Sequence, residues 1–247
     1  MEARNSSSFL NRTVGEVVAE DYRRASVFKR FGIDFCCGGG ISVEAACNRK
    51  GVSLEALTEA LLAADARRAA QGPDAQAWDP SFLSLYIENV HHTYVRESLP
   101  VLVQFAQKVA RVHGADRPEL VEVAQLVNEL ALEMEQHMTR EEQEIFPQIR
   151  QLERGTTEDD GGRSANDAAL DGPIDQLEHE HDHAGAIMAR LREITSGFRP
   201  PHGACNTYQA TYAKLEEFED DLHLHVHLEN NILFPKALSV GREAMNA

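Results

Sequence analysis

Two segments of this chain share a pattern of residue types that can bind a metal ion. His137–Pro147 and His225–Pro235 each open with a histidine, carry a glutamate four residues later and close with Phe-Pro. Residues four apart on an α-helix project from the same face, so each segment presents an imidazole and a carboxylate side by side. The two glutamates are Glu141 and Glu229. The repetition predicts a metal site to which both segments contribute.

Helical periodicity adds two histidines to this pair. His137 and His225 lie on apolar stripes with steps of three and four residues, and so does His181. His92 shares a heptad line with the apolar residue Leu85. All four histidines are therefore predicted to face the core.

The neighbouring histidines divide into two groups. His91 is the alternative to His92, because Ile87 and Val95 also give it an apolar face. The others align with polar residues and are predicted to lie on solvated faces: His179, His183, His223 and His227. A histidine on an apolar stripe is often a core residue with a hydrogen-bond partner, so a plain polar core is the alternative to a metal site.

Charge favours the metal site over the polar core. Two buried carboxylates without compensation would cost several kcal/mol per ion, and cations between them remove that cost. Four imidazoles and two carboxylates exceed the ligand set of a tetrahedral structural zinc and suit two metal ions bridged by carboxylates. Nitrogen and oxygen ligands without thiolate favour iron or manganese, and we expect iron.

Two more carboxylates lie close to the predicted ligands. Glu133 precedes His137 by one helical turn, and Glu180 adjoins His181. Each is predicted either to support a ligand from outside or to lie on a path for protons or iron, and a surface position is the alternative.

The cysteines are too few and too unevenly spaced for a disulfide scaffold. Cys36 and Cys37 are adjacent, and a disulfide between neighbours is strained. The glycines around them indicate accessible thiols that could act in redox chemistry, pass iron to a partner or bond across a dimer, with simple burial as the alternative. Cys47 and Cys205 are predicted to be buried small apolar residues.

Four long amphipathic patterns must position the predicted ligands. They cover residues 81–112, 118–151, 173–197 and 206–238. The histidines at 92 and 137 both lie roughly 30 Å from the turn that joins the first two patterns. His181 and His225 likewise lie at similar distances from the turn that joins the last two patterns. The chain therefore reads as a duplicated helical hairpin that forms an antiparallel four-helix bundle.

The remaining sequence divides the chain into domains. Residues 1–70 are predicted to form a small helical domain, which a capping box of Thr13 and Glu16 opens. A linker is predicted at 71–80 and the bundle at 81–240. The composition of residues 153–171 predicts a mobile insert within the bundle.

Composition excludes several classes of partner. The 247 residues carry a formal charge of −16, which argues against nucleic acid and against anionic membrane surfaces. No apolar run approaches the roughly 18 residues of a membrane-spanning helix, and the polar N-terminus lacks the apolar core of a secretory signal. The cytoplasm is the expected compartment.

Two modules resemble those of one known family. The segments Ile87–Pro100, His137–Pro147, Glu180–Gly185 and Leu222–Pro235 resemble the haemerythrin-like di-iron domain of the iron-sulfur cluster repair proteins, the repair-of-iron-centres family. Asp34–Gly39 is similar to the Cys-Cys-Gly-Gly signature of that family's short N-terminal domain. Both modules occur in the expected order and cover nearly the whole chain.

The resemblance implies a cofactor of two iron ions per chain with oxo and carboxylate bridges. It implies these ligands: His92, His137, His181 and His225, with Glu141 and Glu229 as bridges. It also implies a stress protein whose partners are iron-sulfur proteins damaged by nitric oxide or oxidants. The N-terminal domain is a candidate surface for a homodimer. We expect an iron-donating repair protein rather than a conventional enzyme. The alternatives are reduction of nitric oxide at the di-iron centre and reversible binding or sensing of a gas such as nitric oxide or oxygen.

Overall fold

The fold is all-α, as the periodicity predicts. The computed structural model describes residues 7–66, 75–155 and 170–246. Within these ranges the only β-type pairing is an isolated antiparallel bridge between Thr13 and Ser42. Residues 71–74 of the predicted linker and 156–169 of the predicted insert lie outside the described residues. None of the described helices combines the length and apolar composition that a membrane crossing requires.

Five short α-helices make up the described part of the N-terminal region. They are α1 (Ser7–Leu10), α2 (Val14–Glu20), α3 (Ala25–Arg30), α4 (Val43–Lys50) and α5 (Leu54–Ala66). The predicted capping box opens α2, since the Thr13 hydroxyl accepts the Glu16 N–H at 3.1 Å and the Glu16 carboxylate accepts the Thr13 N–H at 2.8 Å. Gly51 ends α4 with a left-handed φ of 66°.

Four helical rods form the bundle, and three of them contain a π-helical turn. Rod 1 comprises α6 (Pro80–Tyr86), π1 (Ile87–His92) and α7 (Thr93–His113). Rod 2 comprises α8 (Glu119–Arg140), π2 (Glu141–Ile145) and α9 (Phe146–Gly155). Rod 3 is α10 (Asp171–Ile194), and rod 4 comprises α11 (Asn206–Leu228), π3 (Glu229–Leu233) and α12 (Phe234–Asn246). Helix α7 packs against α8 and α11, and α8 packs against α10.

Buried side chains form two apolar clusters on either side of the predicted metal ligands. One cluster contains Leu99 and Leu222 and extends into the N-terminal domain, and the other contains Ile87 and Ile232. On every rod the predicted ligands fall between these clusters. Apolar burial on both sides therefore fixes the height of the four rods relative to one another.

The π-helical turns coincide with predicted ligands. His92 is the last residue of π1, and Glu141 and Glu229 are the first residues of π2 and π3. Pro147 and Pro235 follow the second and third turns and have no N–H to complete an α-helical hydrogen bond. The missing bonds favour a wider turn just before each proline, at the place where the ligands lie.

The π1 turn corrects the predicted face of rod 1. The heptad line of His92 placed Leu85 in the core, but Leu85 is 44% exposed, and Leu83 and Ile87 are buried instead. A π-helical turn contains more residues than an α-helical turn, so the residues before it are rotated relative to those after it. A heptad line cannot cross such a turn.

The N-terminal domain packs on rod 4 through an ion pair with a buried carboxylate. Lys29 Nζ lies 2.9 Å from Glu219 Oε2, and Lys29 also pairs with Asp220. Glu219 is 2% exposed and accepts a second hydrogen bond from Arg192 Nε at 2.7 Å. These cations lower the pKa of Glu219 although its burial opposes the shift.

Aromatic contacts beside this ion pair overturn one prediction. His227 is 1% exposed and His223 is partly buried, because Phe35 and Tyr22 of the N-terminal domain lie against them. The solvated face predicted for this part of rod 4 is therefore wrong: the other domain covers it. The remaining two histidines are exposed, as predicted: His179 and His183.

Replacing Glu219 with alanine should lower the free energy of unfolding by about 2 kcal/mol, because Lys29 and Arg192 lose a buried partner but keep partial access to water. Urea unfolding followed by circular dichroism measures the change. Glu216→Ala is the matched control, since Glu216 is exposed and lies 3.9 Å from the same arginine. It should change the free energy by less than about 0.5 kcal/mol. Equal effects of the two substitutions would contradict this account of the interface.

Candidate metal centre

Glu141 lies between histidines of two different rods. Its Oε2 is 3.3 Å from His92 Nε2 on rod 1 and 3.3 Å from His137 Nε2 on rod 2. The second contact joins residues four apart on one helix, as the sequence pattern predicts. The Glu141 side chain is 0% exposed.

Glu229 occupies the equivalent place on the opposite side. Its Oε1 lies 3.0 Å from His225 Nε2 and 3.9 Å from His92 Nε2, and its Oε2 lies 3.2 Å from His181 Nε2. All four Nε2 atoms therefore point toward the two carboxylates. The ligand atoms form two overlapping groups within 4.8 Å: His92, Glu141, His225 and Glu229, and His137, Glu141, His181 and Glu229.

The protonation pattern of the second group calls for a cation. His137 Nδ1 lies 2.9 Å from the carboxylate of Glu180, which only accepts, so this Nδ1 carries the hydrogen and Nε2 of the neutral ring carries a lone pair. His181 Nδ1 likewise faces Asn230 Oδ1 at 2.7 Å. The Nε2 atoms of His137 and His181 are 2.9 Å apart. Two lone pairs at that distance repel one another, so either a proton or a metal ion must lie between the two rings.

The first group has the same requirement. Among the described residues, His92 Nε2 and both carboxylate oxygens of Glu141 are buried and have no hydrogen-bond partner. Buried polar atoms without partners are costly, and these point into one polar pocket. A donor set of imidazole nitrogens and carboxylate oxygens fits metal ions such as iron or manganese.

The electrostatics show how strongly the site attracts positive charge. Burial opposes protonation of His92 and His137, but carboxylates including Glu141 and Glu229 raise the pKa of each histidine to about 10. Burial lowers the pKa of His225, and the surrounding histidines hold the pKa of Glu229 low against the effect of burial. Without metal, protons must supply the charge that the carboxylates require.

Outer partners orient three of the four imidazoles. His92 Nδ1 lies 2.7 Å from Glu142 Oε1, and Arg96 donates to both oxygens of that carboxylate at 2.6 and 3.1 Å. Glu180, the partner of His137, also pairs with Arg140. Hydrogen bonds from His137 and Arg140 lower the pKa of Glu180 to about 2. A carboxylate behind an imidazole fixes its ring and raises its basicity as a ligand.

The Phe of each Phe-Pro pair stacks on an imidazole. The ring of Phe146 lies 5.6 Å from that of His92 at 19°, and the ring of Phe234 lies 6.2 Å from that of His181 at 5°. The repeated segment therefore contributes a histidine, a carboxylate and a stacking ring. That ring contacts a histidine of another rod.

Comparison with known proteins identifies both modules. Residues 10–65 match the family described as ScdA_N, a domain of unknown function (DUF542), and residues 85–237 match the haemerythrin HHE cation binding domain. The iron-sulfur cluster repair protein YtfE of Pectobacterium atrosepticum is 38% identical over 236 residues, covering 94% of this chain and 98% of the relative. YtfE of Yersinia pseudotuberculosis is 37% identical over 231 residues, covering 93% and 98%. This chain belongs to the iron-sulfur cluster repair family.

In this repair-family chain, His91 is next to the centre but outside both groups. It is 1% exposed, and its Nδ1 lies 3.0 Å from Asp221 Oδ1 rather than near either glutamate. Of the two adjacent histidines, His92 is therefore the one that points inward.

Glu133 faces outward instead of supporting His137. Its carboxylate lies 3.0 Å from His183 Nε2, and Glu129 lies 3.5 Å from the same atom. The side chains of this trio are between 40% and 52% exposed, so the geometry favours the surface interpretation of Glu133. Glu180 in contrast bonds directly to a predicted ligand.

The cysteines differ in their access to solvent. Cys36 is 5% exposed, and its contact with Cys37 together with burial raises the pKa of its thiol. Cys37 is half-buried, and its thiol lies 3.3 Å from the backbone oxygen of His181. Cys47 is buried as predicted, but Cys205 is exposed and its predicted burial is wrong. It precedes α11 in a surface loop.

The sequence did not predict four residues as supports of the centre: Arg96, Arg140, Glu142 and Asn230, the last of which was expected on the solvated face of rod 4. The last two directly follow Glu141 and Glu229 at equivalent places in the repeat, which is a signal that could have found them. The arginines carry no such signal, because an arginine on a helix surface is common.

Removing a predicted ligand should remove metal without unfolding the bundle. His225→Ala and Glu229→Ala should each reduce bound iron to half or less, because His225 belongs to one ligand group and Glu229 belongs to both. Helical content should largely persist, since both apolar clusters remain. Metal analysis and circular dichroism measure the two quantities. His183→Ala on the surface is the control, and unchanged iron in both ligand variants would refute the assignment.

The metal-free protein should lose stability as the pH rises. His92 and His137 have folded pKa values of about 10 against 6.5 for the free side chain, so their stabilisation is complete below 6.5 and is lost toward 10. Metal replaces these protons, so the loaded protein should not show the loss. Thermal unfolding of both forms between about pH 7 and about pH 9.5 tests this. A metal-free melting temperature that stays constant would contradict the charge argument.

Proposed function

We propose that this chain repairs iron-sulfur clusters damaged by nitrosative or oxidative stress, by holding two iron ions and donating iron to the damaged protein in the cytoplasm. The observation that carries the proposal is the pair of buried carboxylates between four imidazoles, which forms two overlapping ligand groups. The relatives named as iron-sulfur cluster repair proteins align with nearly the whole chain, which supports the same role.

Each ligand group would hold one iron. His92 and His225 would bind one ion, His137 and His181 would bind the other, and Glu141 and Glu229 would bridge them. Bound iron supplies a redox-active ion with coordination positions that can exchange. The outer partners hold the imidazoles in position for the ion, and the apolar clusters above and below limit the access of water.

The chemistry of the ligands favours transfer toward a client. All the proposed ligands are nitrogen or oxygen donors, whereas iron-sulfur clusters are held by cysteine thiolates. Thiolates are the softer ligands and select iron in such clusters. A damaged protein with free thiolates therefore competes well for iron that this centre holds without sulfur.

We assign Cys36 and Cys37 to the transfer of iron between the centre and a client. Their sulfur atoms are 3.8 Å apart, and Cys37 contacts the backbone of a proposed ligand, His181. A disulfide across a dimer would require Cys36 to leave its buried place. A homodimer through the N-terminal domain stays a prediction.

Anaerobic incubation of the iron-loaded protein with an apo iron-sulfur enzyme should restore that enzyme's activity and move iron to it in parallel. Sulfide is supplied, and iron that is not bound to the protein is removed beforehand by gel filtration. Glu229→Ala should fail to restore activity because it lacks a shared ligand, and His183→Ala should behave as the unmodified protein. Enzyme assays and iron analysis of the separated proteins measure the outcome.

The same experiment separates the alternative functions. Turnover of nitric oxide with a reductant, while the protein keeps its iron, would support nitric oxide reduction instead. Reversible binding of nitric oxide or oxygen without turnover or iron transfer would support a gas binder. Failure to restore activity together with failure to transfer iron would overturn the repair function.

A further inference from the structure

The outer partners of the four histidines follow the duplicated hairpin only in part. His92 and His181 occupy equivalent places in the two hairpins, and each directs Nδ1 at a residue that directly follows a bridging glutamate. For His92 that residue is Glu142, and for His181 it is Asn230, both at 2.7 Å. The repeat therefore preserves the contact and replaces a carboxylate by an amide.

The other two histidines break the repeat. His137 directs Nδ1 at Glu180, which directly precedes the histidine of rod 3. The equivalent residue for His225 is His91, which does not bond to it: the two rings stack at 5.5 Å and 11°, and His91 faces Asp221 instead. Among the described residues, His225 Nδ1 is buried and has no hydrogen-bond partner.

These contacts give the two ligand groups unequal support. In the His137/His181 group both imidazoles have an outer partner, whereas in the His92/His225 group only His92 has one. Each group has one Arg-paired carboxylate, so those contributions match. Loss of an outer partner commonly lowers metal affinity by about 10- to 100-fold. The imbalance lies at His225.

We infer that the two metal positions are not equivalent, and that the iron held by His92 and His225 is the ion this protein releases first and donates. The inequality follows from the contacts of the imidazoles alone. The donation step rests on the function proposed above. Asn230 and Glu142 are then positioning residues, each acting on one metal position through one histidine.

Release of iron to a ferrous chelator tests the inequality without a client. The full-length protein, loaded with iron(II) under anaerobic conditions, is mixed with excess chelator and followed by absorbance. We expect two phases of equal amplitude whose rates differ by about 10- to 100-fold. A single phase would overturn the inference.

Substitutions at two residues assign the phases to the two positions. Glu142→Gln removes the charge behind His92 and should accelerate only the fast phase. Asn230→Ala removes the support of His181 and should accelerate only the slow phase. Asn230→Asp places a carboxylate behind His181 and should make the slow phase slower than in the unmodified protein. His183→Ala should change neither phase. Acceleration of the fast phase by Asn230→Ala would overturn the assignment, and if that variant fails to fold, an unchanged slow phase in Asn230→Asp would do so.

The client assay distinguishes this inference from the proposed function. Transfer of one iron per chain to an apo enzyme at the rate of the fast phase supports both. Two phases with chelator and no transfer to a client would overturn the repair function and the donation step that rests on it, and would leave the inequality of the two positions in place. Transfer that proceeds at the slow-phase rate would overturn the inference about the donated ion and leave the repair function in place.

Discussion

The burial of two carboxylates at the centre of the bundle is the constraint on which the rest of the structure depends. Glu141 and Glu229 are both 0% exposed, and apolar clusters close the space above and below them. Anions in such a place are tolerated only with cations beside them. The four imidazoles can carry protons or hold metal, so the same side chains form the core of the bundle and its metal site. The stability of the fold and the chemistry of the site therefore depend on the same side chains.

Helical periodicity predicted that the four candidate ligands face inward, but not how the helices bring them there. The steps of three and four residues around His137 and His181 lie within regular α-helix, where they describe the face correctly. At His92 and His91 the chain passes through π1, and both residues are buried with apolar neighbours. Only their partners separate them: one points to the glutamates and the other to Asp221. The periodicity of one helix carries no information about the partners that other rods contribute.

Contacts between the domains were equally beyond the sequence. The face of rod 4 that carries His223 and His227 reads as solvated because its other residues are polar, and the N-terminal domain covers it. The same docking places Cys37 against the backbone of His181. Family resemblance supplied both modules and their order, but the surface on which they meet depends on complementary shape and charge. Lys29 and the buried Glu219 are an example, since neither stands out from other charged residues along the chain.

In the proposed function, iron leaves a buried centre, and this creates a conflict because the core that releases a cation still contains two carboxylates. Two equal positions would release their ions at the same rate. Glu141 and Glu229 would then be left with protons alone as compensation. Unequal support of the imidazoles resolves the conflict. The His137/His181 group contacts both carboxylates and has outer partners on both rings, so an ion there keeps the core neutralised while the other leaves. The unpartnered nitrogen of His225 is then a feature that lets one position exchange without loss of the fold, rather than a defect in packing.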